Sequence, residues 1–149
     1  MKIFTQIEEI TNCNECVLTI GSFDGLHRGH QDIIKTLTTT ATAKSKKSAL
    51  ITFDPHPRHV LDKENKLSLI MSMKQKKDLL QKLGIDILYI IPFTEEFSHM
   101  TAENFMDNII MKHFSPSGII IGYDHHFGYK REGSPKFLKE YAIRRGINI

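Results

Sequence analysis

Short apolar runs alternate with longer amphipathic stretches along this chain of 149 residues. The apolar runs are rich in β-branched residues and predict buried strands over 16–20, 48–53, 85–91 and 117–122. Helical periodicity and capping residues predict helices over 30–44, 72–84, 101–113 and 134–145, and residues 147–149 resemble the start of a fifth strand. This alternation predicts the α/β class, as a Rossmann-like three-layer sandwich with a mostly parallel sheet and helices on both faces.

Capping residues mark where two of these helices begin. Ser72 and Gln75 have the spacing of a capping box, in which each side chain accepts a hydrogen bond from the other residue's backbone N–H. Ser134 followed by Pro135 is typical of an N-cap with proline at the first helical position. Gly84 stands where a C-terminal cap glycine is expected, so capping residues mark both the start and the end of the helix over 72–84.

The composition is that of a globular domain. Hydrophobic residues make up 40% of the chain and charged residues 25%, with a net charge of +3, which excludes intrinsic disorder. The longest aliphatic-aromatic run is Ile87–Ile91, far short of the roughly 20 residues of a membrane-spanning helix. The first residues lack the apolar region of a signal peptide. We therefore expect one cytoplasmic domain over 1–149 without a membrane partner.

The basic residues and the two cysteines point to no particular chemistry. Lysines cluster at 44–47 and again at 74–82, which we interpret as solvated helix surfaces rather than as a nucleic-acid-binding patch. Cys13 and Cys16 have the spacing of half a zinc site or of a redox pair. A second cysteine pair is missing from the sequence, and the two precede a strand instead of following one. We interpret them as an incidental pair in a loop.

The stretch Gly21–His30 lies between the first of these strands and the first helix. Open α/β sheets bind ligands at this place, beyond the carboxyl ends of the strands. Gly29 would let a phosphate approach the first helical turn, whose free N–H groups favour anions, and His27 and His30 can donate hydrogen bonds there. A tight turn with two surface histidines is the alternative, which the glycine placement and the strand-helix context disfavour. The loop therefore predicts a phosphate-binding site.

The same stretch resembles the H-x-G-H signature of class I nucleotidylyltransferases. Its longer form, Gly-x-Phe-Asp-Gly-x-His-x-Gly-His-Gln, is similar to the FMN adenylyltransferase domain of the bacterial bifunctional riboflavin kinase/FAD synthetases. Two further segments follow the family in order, Thr52–Pro57 after the second predicted strand and Gly122–Gly128 after the fourth. The resemblance covers essentially the whole chain.

The resemblance implies an enzyme of FAD biosynthesis, which transfers AMP from ATP to the phosphate of FMN and releases pyrophosphate. His27 and His30 would contact the ATP phosphates and stabilise the transition state, since such a transfer needs mainly alignment and charge neutralisation. The residues implied to shape the nucleotide pocket are Gly21, Phe23, Asp24 and Gly29. Mg²⁺ would bridge phosphate oxygens with few direct protein ligands, so we assign no metal-binding residues.

The segment Asp54-Pro55-His56-Pro57 is expected to be a rigid loop because of its two prolines. In the family this segment lies beside the flavin, so the resemblance implies FMN contacts for Pro55, His56 and Pro57. A plain rigid turn is the alternative. His56 and His59 have a spacing that suggests a metal pair, but Pro57 is expected to break any helix that would align them.

The segment after the fourth strand departs from the family, which more often has Asp-Phe-Arg-Phe-Gly where this chain has Asp124-His125-His126-Phe127-Gly128. Asp124, just past a strand end, is suited to bond a ribose hydroxyl or the adenine amine. His126 replaces the family's basic residue, and Lys130 and Arg131 could supply the positive charge instead. A surface loop with two solvated histidines is the alternative.

Two features of the family are missing from these 149 residues, a Ser-Ser-Thr-x-x-Arg segment that clamps the ATP phosphates and the covalently linked riboflavin kinase domain. We therefore expect a C-terminally truncated adenylyltransferase domain, from a full-length protein that also phosphorylates riboflavin. A non-catalytic module that binds flavin or nucleotide is the competing expectation. Nucleotidylyltransferases acting on phosphopantetheine, nicotinate mononucleotide or glycerol phosphate are further alternatives, which the loops after the second and fourth strands disfavour.

Overall fold

Five parallel strands form the central sheet in a computed structural model that describes residues 1–10, 13, 15–64 and 68–149. The strands are β1 (Lys2–Phe4), β2 (Val17–Ile20), β3 (Ser48–Asp54), β4 (Ile87–Pro92) and β5 (Gly118–Ile120). Their order across the sheet is β1-β4-β3-β2-β5, and every neighbouring pair is parallel. The prediction of a mostly parallel sheet is confirmed.

Helices connect the strands. They are α1 (Arg28–Ala43), α2 (Pro57–Leu61), α3 (Met73–Lys82), α4 (Glu95–Ser98), α5 (Ala102–Phe105), which continues as a π-helix over Met106–Phe114, and α6 (Pro135–Arg145). The predicted caps are present, since Ser72 and Gln75 exchange both capping-box hydrogen bonds and the Ser134 hydroxyl accepts from the Phe137 N–H. Gly84 has a φ of 83°, as a glycine beyond a helix end should.

Two buried clusters lie on opposite faces of the sheet, because successive strand residues point to opposite sides. One cluster joins the sheet to α1 and α3 through Leu50, Leu88, Ile34, Leu37 and Leu80. The other joins it to the π-helix and α6 through Ile51, Tyr89, Ile110, Phe114 and Leu138. Helices therefore cover both faces, and the predicted three-layer α/β sandwich is confirmed.

The chain reverses its direction across the sheet between β2 and β5. Helix α1 carries it from β2 to β3, and α3 carries it on to β4, whereas α5 and the π-helix return it past β3 and β2 to β5. The segments that follow β2 and β5 thus lead to helices on opposite faces. Such a topological switch leaves a crevice at the carboxyl edge of the sheet, where open α/β folds bind their ligands.

Three local features differ from the predicted elements. Strand β1 pairs with β4 but has three residues, too few for a periodic signal. The predicted helix over 101–113 widens into a π-helix, which ends where the Ser115 N–H donates to the Ile110 carbonyl five residues earlier. The predicted fifth strand at 147–149 makes one parallel bridge, between Asn148 and Gly118 at the free edge of β5.

Both cysteines are buried. The Cys16 thiol lies 3.9 Å from the Phe114 carbonyl oxygen, and burial raises its pKa to about 12. A thiol with such a pKa stays protonated at neutral pH and packs as a small apolar side chain. Packing between the sheet and the π-helix thus explains why a buried cysteine occupies position 16.

Replacing Leu50 by alanine should destabilise the protein by about 2–5 kcal/mol, because this side chain is fully buried and its removal leaves a cavity. Leu61 on α2 is 64% exposed. The control Leu61→Ala should therefore change the free energy of unfolding by less than about 0.5 kcal/mol. Urea denaturation measures both, and equal losses would contradict the central place of β3 in the core.

Candidate functional site

The loop between β2 and α1 has an unusual backbone. Phe23 and Leu26 have φ angles of 48° and 42°, in the left-handed region that L-residues rarely adopt. Gly25, with a φ of 73°, lies between them and adopts this region at low cost. A Cβ on Gly21 would lie 2.9 Å from the Phe23 ring. The loop therefore has one particular backbone conformation, which buries Phe23 and Leu26 and leaves His27 exposed.

Asp24, within this loop, holds a neighbouring segment. Its two carboxylate oxygens accept hydrogen bonds from the Ile70 N–H at 3.2 Å and 3.3 Å. The Ile70 side chain also lies against Gly25, where an added Cβ would approach it to 3.1 Å. The segment before α3 thus packs directly on the β2–α1 loop.

Helix α1 begins with backbone donors that the helix itself cannot satisfy. Among the described residues, no side chain caps this end, where His27 is the N-cap residue, and the first helical hydrogen bond runs from the Gln31 N–H to the His27 carbonyl. The N–H groups of residues 28–30 therefore face outward, at the positive end of a 16-residue helix. A Cβ on Gly29 would meet the His27 ring at 3.4 Å, an ordinary contact, so packing within the chain does not itself demand glycine there.

His27 and His30 stack on each other at this helix start. Their ring centroids are 3.7 Å apart with planes inclined by 25°. Burial, then the neighbouring His27 and Lys76, lowers the pKa of His30 below its ordinary value, while two nearby aspartates act in the opposite direction. His30 is therefore mainly neutral at pH 7. Its buried Nδ1 has no hydrogen-bond partner within the described part of the chain.

His56 follows β3 and caps α2. Its Nδ1 accepts from the Arg58 N–H at 3.2 Å, and Pro57 is the first helical residue. A helix does begin at Pro57, because proline at the first position has no helical hydrogen bond to lose, and it leaves His56 outside as the N-cap while it includes His59. Burial lowers the pKa of His56, and the charges of Asp24 and Lys76 also act on it. The segment after β3 therefore lies beside the β2–α1 loop.

The loop after β5 carries Asp124, His125 and His126. Asp124 is exposed. Its charge lies near enough to His30 to oppose the lowering of the His30 pKa. Burial lowers the pKa of His125 to about 4, and its buried Nε2 has no hydrogen-bond partner among the residues that the structure describes. His126 is exposed, with its Nδ1 2.9 Å from the Asp124 carbonyl oxygen. The alternative of two solvated histidines is therefore wrong for His125.

Arg131 lies in the turn Tyr129–Arg131, which follows the loop after β5. The adjacent Glu132 carboxylate accepts from the Ala102 N–H at 2.6 Å, which ties this turn to the start of α5. Arg131 is exposed, and over residues 1–10, 13, 15–64 and 68–149 no hydrogen bond, ion pair or ring contact joins it to another predicted site residue. Its role stays a prediction.

Lys76 is a site residue that the sequence analysis missed. The interpretation of the 74–82 lysines as solvated surface is wrong for Lys76, which is 5% exposed. Its Nζ donates to the Ser22 carbonyl at 2.6 Å, and the Thr52 hydroxyl donates to the same oxygen at 3.1 Å. Lys76 precedes Leu79 and Leu80 by three and four residues. A lysine on this apolar stripe was the signal in the sequence.

Three segments thus meet at the carboxyl edge of β2, β3 and β5. The predicted residues that these segments carry are Gly21, Phe23, Asp24, His27, Gly29, His30, Pro55, His56, Pro57 and Asp124. The charges of Asp24 and Lys76 act on both His30 and His56, and the charge of Asp124 acts on His30. The neutral His30 imidazole beside free backbone N–H groups forms a site suited to a phosphorylated ligand.

Comparison with known proteins identifies relatives over nearly the whole chain. The family model described as FAD synthetase matches residues 9–149. The chain is 36% identical over 139 residues to a bifunctional riboflavin kinase/FMN adenylyltransferase of Listeria monocytogenes, and 35% identical over 150 residues to one of Buchnera aphidicola. These alignments cover 93% and 100% of this chain but 44% and 48% of the relatives. The chain therefore spans about half the length of the curated relatives it matches.

A solved structure shares the fold. It is described as a macrolide-efflux protein from Streptococcus pneumoniae, and it matches with a TM-score of 0.81 and 24% identity, over 94% of this chain and 46% of that chain. At this identity the likeness shows the fold alone, and it agrees with the α/β architecture. Within the described ranges, no helix is long and apolar enough to cross a membrane.

Replacing His125 by phenylalanine should make stability less sensitive to acid. An unfolded histidine takes up its proton near pH 6.5, whereas folded His125 does so near pH 4, so between these values the unfolded state binds more protons and stability falls as the pH falls. At pH 4 the loss due to this group is on the order of 3 kcal/mol, and His125→Phe should remove it. Urea denaturation at a series of pH values measures the effect.

The control for this prediction is His113→Phe, at the far end of the π-helix. This variant should keep the wild-type dependence of stability on pH. A wild-type dependence in His125→Phe as well would contradict the burial of His125 as a neutral imidazole.

Proposed function

Because the chain belongs to the FAD synthetase family, we propose that it transfers AMP from ATP to FMN. A phosphate oxygen of FMN attacks the α-phosphorus of ATP, the bond from that phosphorus to the bridging oxygen breaks, and FAD and pyrophosphate leave. The observation that carries the proposal is the stacked pair of imidazoles beside free N–H groups at the start of α1, at the topological switch of the sheet. The relatives described as FMN adenylyltransferases support the same reaction.

His27 and His30 act on the phosphates of ATP in this proposal. Negative charge on the phosphate oxygens is redistributed as the α-phosphorus passes through its transition state, and fixed donors stabilise that charge. A neutral imidazole carries one N–H donor, and the unpartnered Nδ1 of His30 is available to bond a ligand. The stacking of the two rings at 3.7 Å holds both side chains in one orientation before ATP binds.

The remaining predicted residues divide between the two substrates. We assign the nucleotide to the β2–α1 loop and the loop after β5, with Asp124 placed for a ribose hydroxyl or the adenine amine. We assign FMN to Pro55, His56 and Pro57, because this segment follows β3, the neighbour of β2, and therefore lies next to the phosphate-binding loop. The electrostatic influence of Asp24 on His56 supports this proximity. Arg131, in the turn Tyr129–Arg131, is assigned to the nucleotide on its positive charge alone.

Mg²⁺ bound to ATP would neutralise part of the phosphate charge. In the part of the chain that the structure describes, no three His, Cys, Asp or Glu side chains converge to hold a metal ion. Such a cluster is not needed by a cation that keeps phosphate oxygens and waters as ligands. Asp24 and Asp124 are carboxylates at the site that the complex would meet.

We further propose that this domain works next to a riboflavin kinase, which supplies its FMN. The support is that the curated relatives are described as bifunctional and are about twice as long as this chain. Its partners are then the small molecules FMN and ATP, without nucleic acid or membrane. Its place is the cytoplasm, where ATP is made and used.

Replacing His30 by alanine should lower kcat for FAD formation by about 10²–10³-fold, because one transition-state donor is lost. FMN binding, followed by flavin fluorescence, should change little. The control His113→Ala removes an imidazole from the π-helix that precedes β5. His113 lies near the amino end of that strand, at the edge of the sheet opposite the site, so kcat should be unchanged. Chromatography of FMN, FAD and pyrophosphate gives the rates.

Two results would count against the proposed function. A wild-type kcat in His30→Ala would remove His30 from the chemistry. Saturable binding of FMN or ATP by the wild-type protein without any pyrophosphate release would be the behaviour of a non-catalytic binding module.

Replacing Gly29 by alanine should raise the KM for ATP without weakening the fold. The new Cβ fits against His27, and alanine is favoured over glycine in a helix by up to about 1 kcal/mol, so stability should be unchanged or higher. The same Cβ occupies the space through which a phosphate reaches the N–H groups of the first turn, and a tenfold rise in KM would correspond to about 1.4 kcal/mol of lost binding. The KM for FMN serves as the internal control. An unaltered KM for ATP would contradict close approach of the phosphate at Gly29.

A further inference from the structure

We propose that Lys76 is a positioning residue, which holds the β2–α1 loop from α3 and so presents His27 and His30 to the nucleotide. The inference rests on the proposed function. It concerns a residue on a different element from the H-x-G-H loop.

The geometry at Ser22 shows how the loop is fastened. The Ser22 carbonyl accepts from the Lys76 Nζ at 2.6 Å and from the Thr52 hydroxyl at 3.1 Å. One residue earlier, the Gly21 N–H donates to the Ile51 carbonyl at 3.0 Å. The loop is thus tied to β3 by its backbone and to α3 by a charged side chain, immediately before the left-handed residue Phe23.

The burial of Lys76 calls for an explanation beyond helix packing. An ammonium group is costly to bury, and leucine or methionine would cover the same apolar stripe without that cost. Yet Lys76 is 5% exposed, and no carboxylate lies within ion-pair distance of it among the residues that the structure describes. Burial lowers the pKa of Lys76, while Asp24 and Asp54 act from further away in the opposite direction and favour its charged form. Lys76 supplies a hydrogen bond to a loop carbonyl and a buried positive charge, and an apolar residue at this position could supply neither.

The charge of Lys76 also reaches both imidazoles that the site uses. The groups that act on His30 besides its burial are His27 and Lys76, which lower its pKa, and Asp124 and Asp24, which raise it. Those that act on His56 are Asp24, which raises its pKa, and Lys76, His59 and Arg58, which lower it. Lys76 is the cation common to the two sets. Its removal should therefore raise the pKa of His30 and of His56.

The experiment compares Lys76→Met, Lys76→Arg and, as the matched control, Lys74→Met, whose lysine is exposed on the same helix. Lys76→Met should lower kcat for FAD formation by about 10–100-fold, because a displacement of about 1 Å in a catalytic group costs up to about 100-fold. It should also raise the pKa of His30, measured by NMR titration of the ligand-free protein, and move the acidic limb of the kcat profile to higher pH. Lys76→Arg keeps the charge and should keep the His30 pKa near the wild-type value, and Lys74→Met should change none of these quantities.

A purely structural role for Lys76 predicts lower stability in Lys76→Met with the His30 pKa and the acidic limb unmoved, and this result would overturn the proposal. Unchanged amide hydrogen exchange of residues 21–27 in Lys76→Met would overturn it as well. Lys76→Gln, which keeps a donor for the Ser22 carbonyl but no charge, replaces the methionine variant if that protein does not fold. NMR titration and hydrogen exchange use the ligand-free protein, so they test Lys76 even where the wild type makes no FAD. In that case the proposed function alone has failed.

Discussion

The common direction of β2, β3 and β5 determines where the chemistry of this protein can be. Val17 of β2 pairs with Ser48 of β3 on one side and with Gly118 of β5 on the other, and both pairings are parallel. Segments that are far apart in the chain therefore leave the sheet at one edge. Asp24, His56 and Asp124 follow three different strands and come together for this reason. An antiparallel partner would have sent one of these segments to the opposite edge.

Several groups of the site are energetically unfavourable in the ligand-free protein. The Nδ1 of His30 and the Nε2 of His125 are buried without hydrogen-bond partners among the described residues, which is unfavourable in the absence of a ligand. Phe23 and Leu26 hold left-handed backbone conformations, which are also unfavourable for these residues. The buried charge of Lys76 adds a third cost. Such unfavourable groups gathered around the carboxyl edge of one sheet are typical of a site shaped for binding, and the well-packed sandwich supports them.

Much of the fold follows from short-range rules that act within a few residues. The β-branched runs, the capping box at Ser72 and Gln75, and the cap glycine Gly84 each carry a local signal, and the structure has them where the sequence predicts them. β1 escaped prediction because three residues hold no period, and the π-helix because its widening depends on tertiary packing.

The site was predicted less completely than the fold. The H-x-G-H loop has a motif with a mechanical reason for each residue, so it could be found from the sequence. Lys76 carries only the weak signal of a lysine on an apolar helix stripe, since the partner that explains it, the Ser22 carbonyl, is brought near only by the packing of α3 against the sheet. The same holds for His125, whose burial depends on contacts that no local pattern encodes.

The position of an isotope label shows whether AMP passes from ATP to the phosphate of FMN. The protein is incubated with FMN, Mg²⁺ and ATP labelled either at the α-phosphorus or at the γ-phosphorus. AMP transfer predicts that the α-label appears in FAD and the γ-label in pyrophosphate, in equal amounts. Label from the γ-phosphorus in a flavin product, or no label in any flavin while ATP and FMN both bind, would contradict the account.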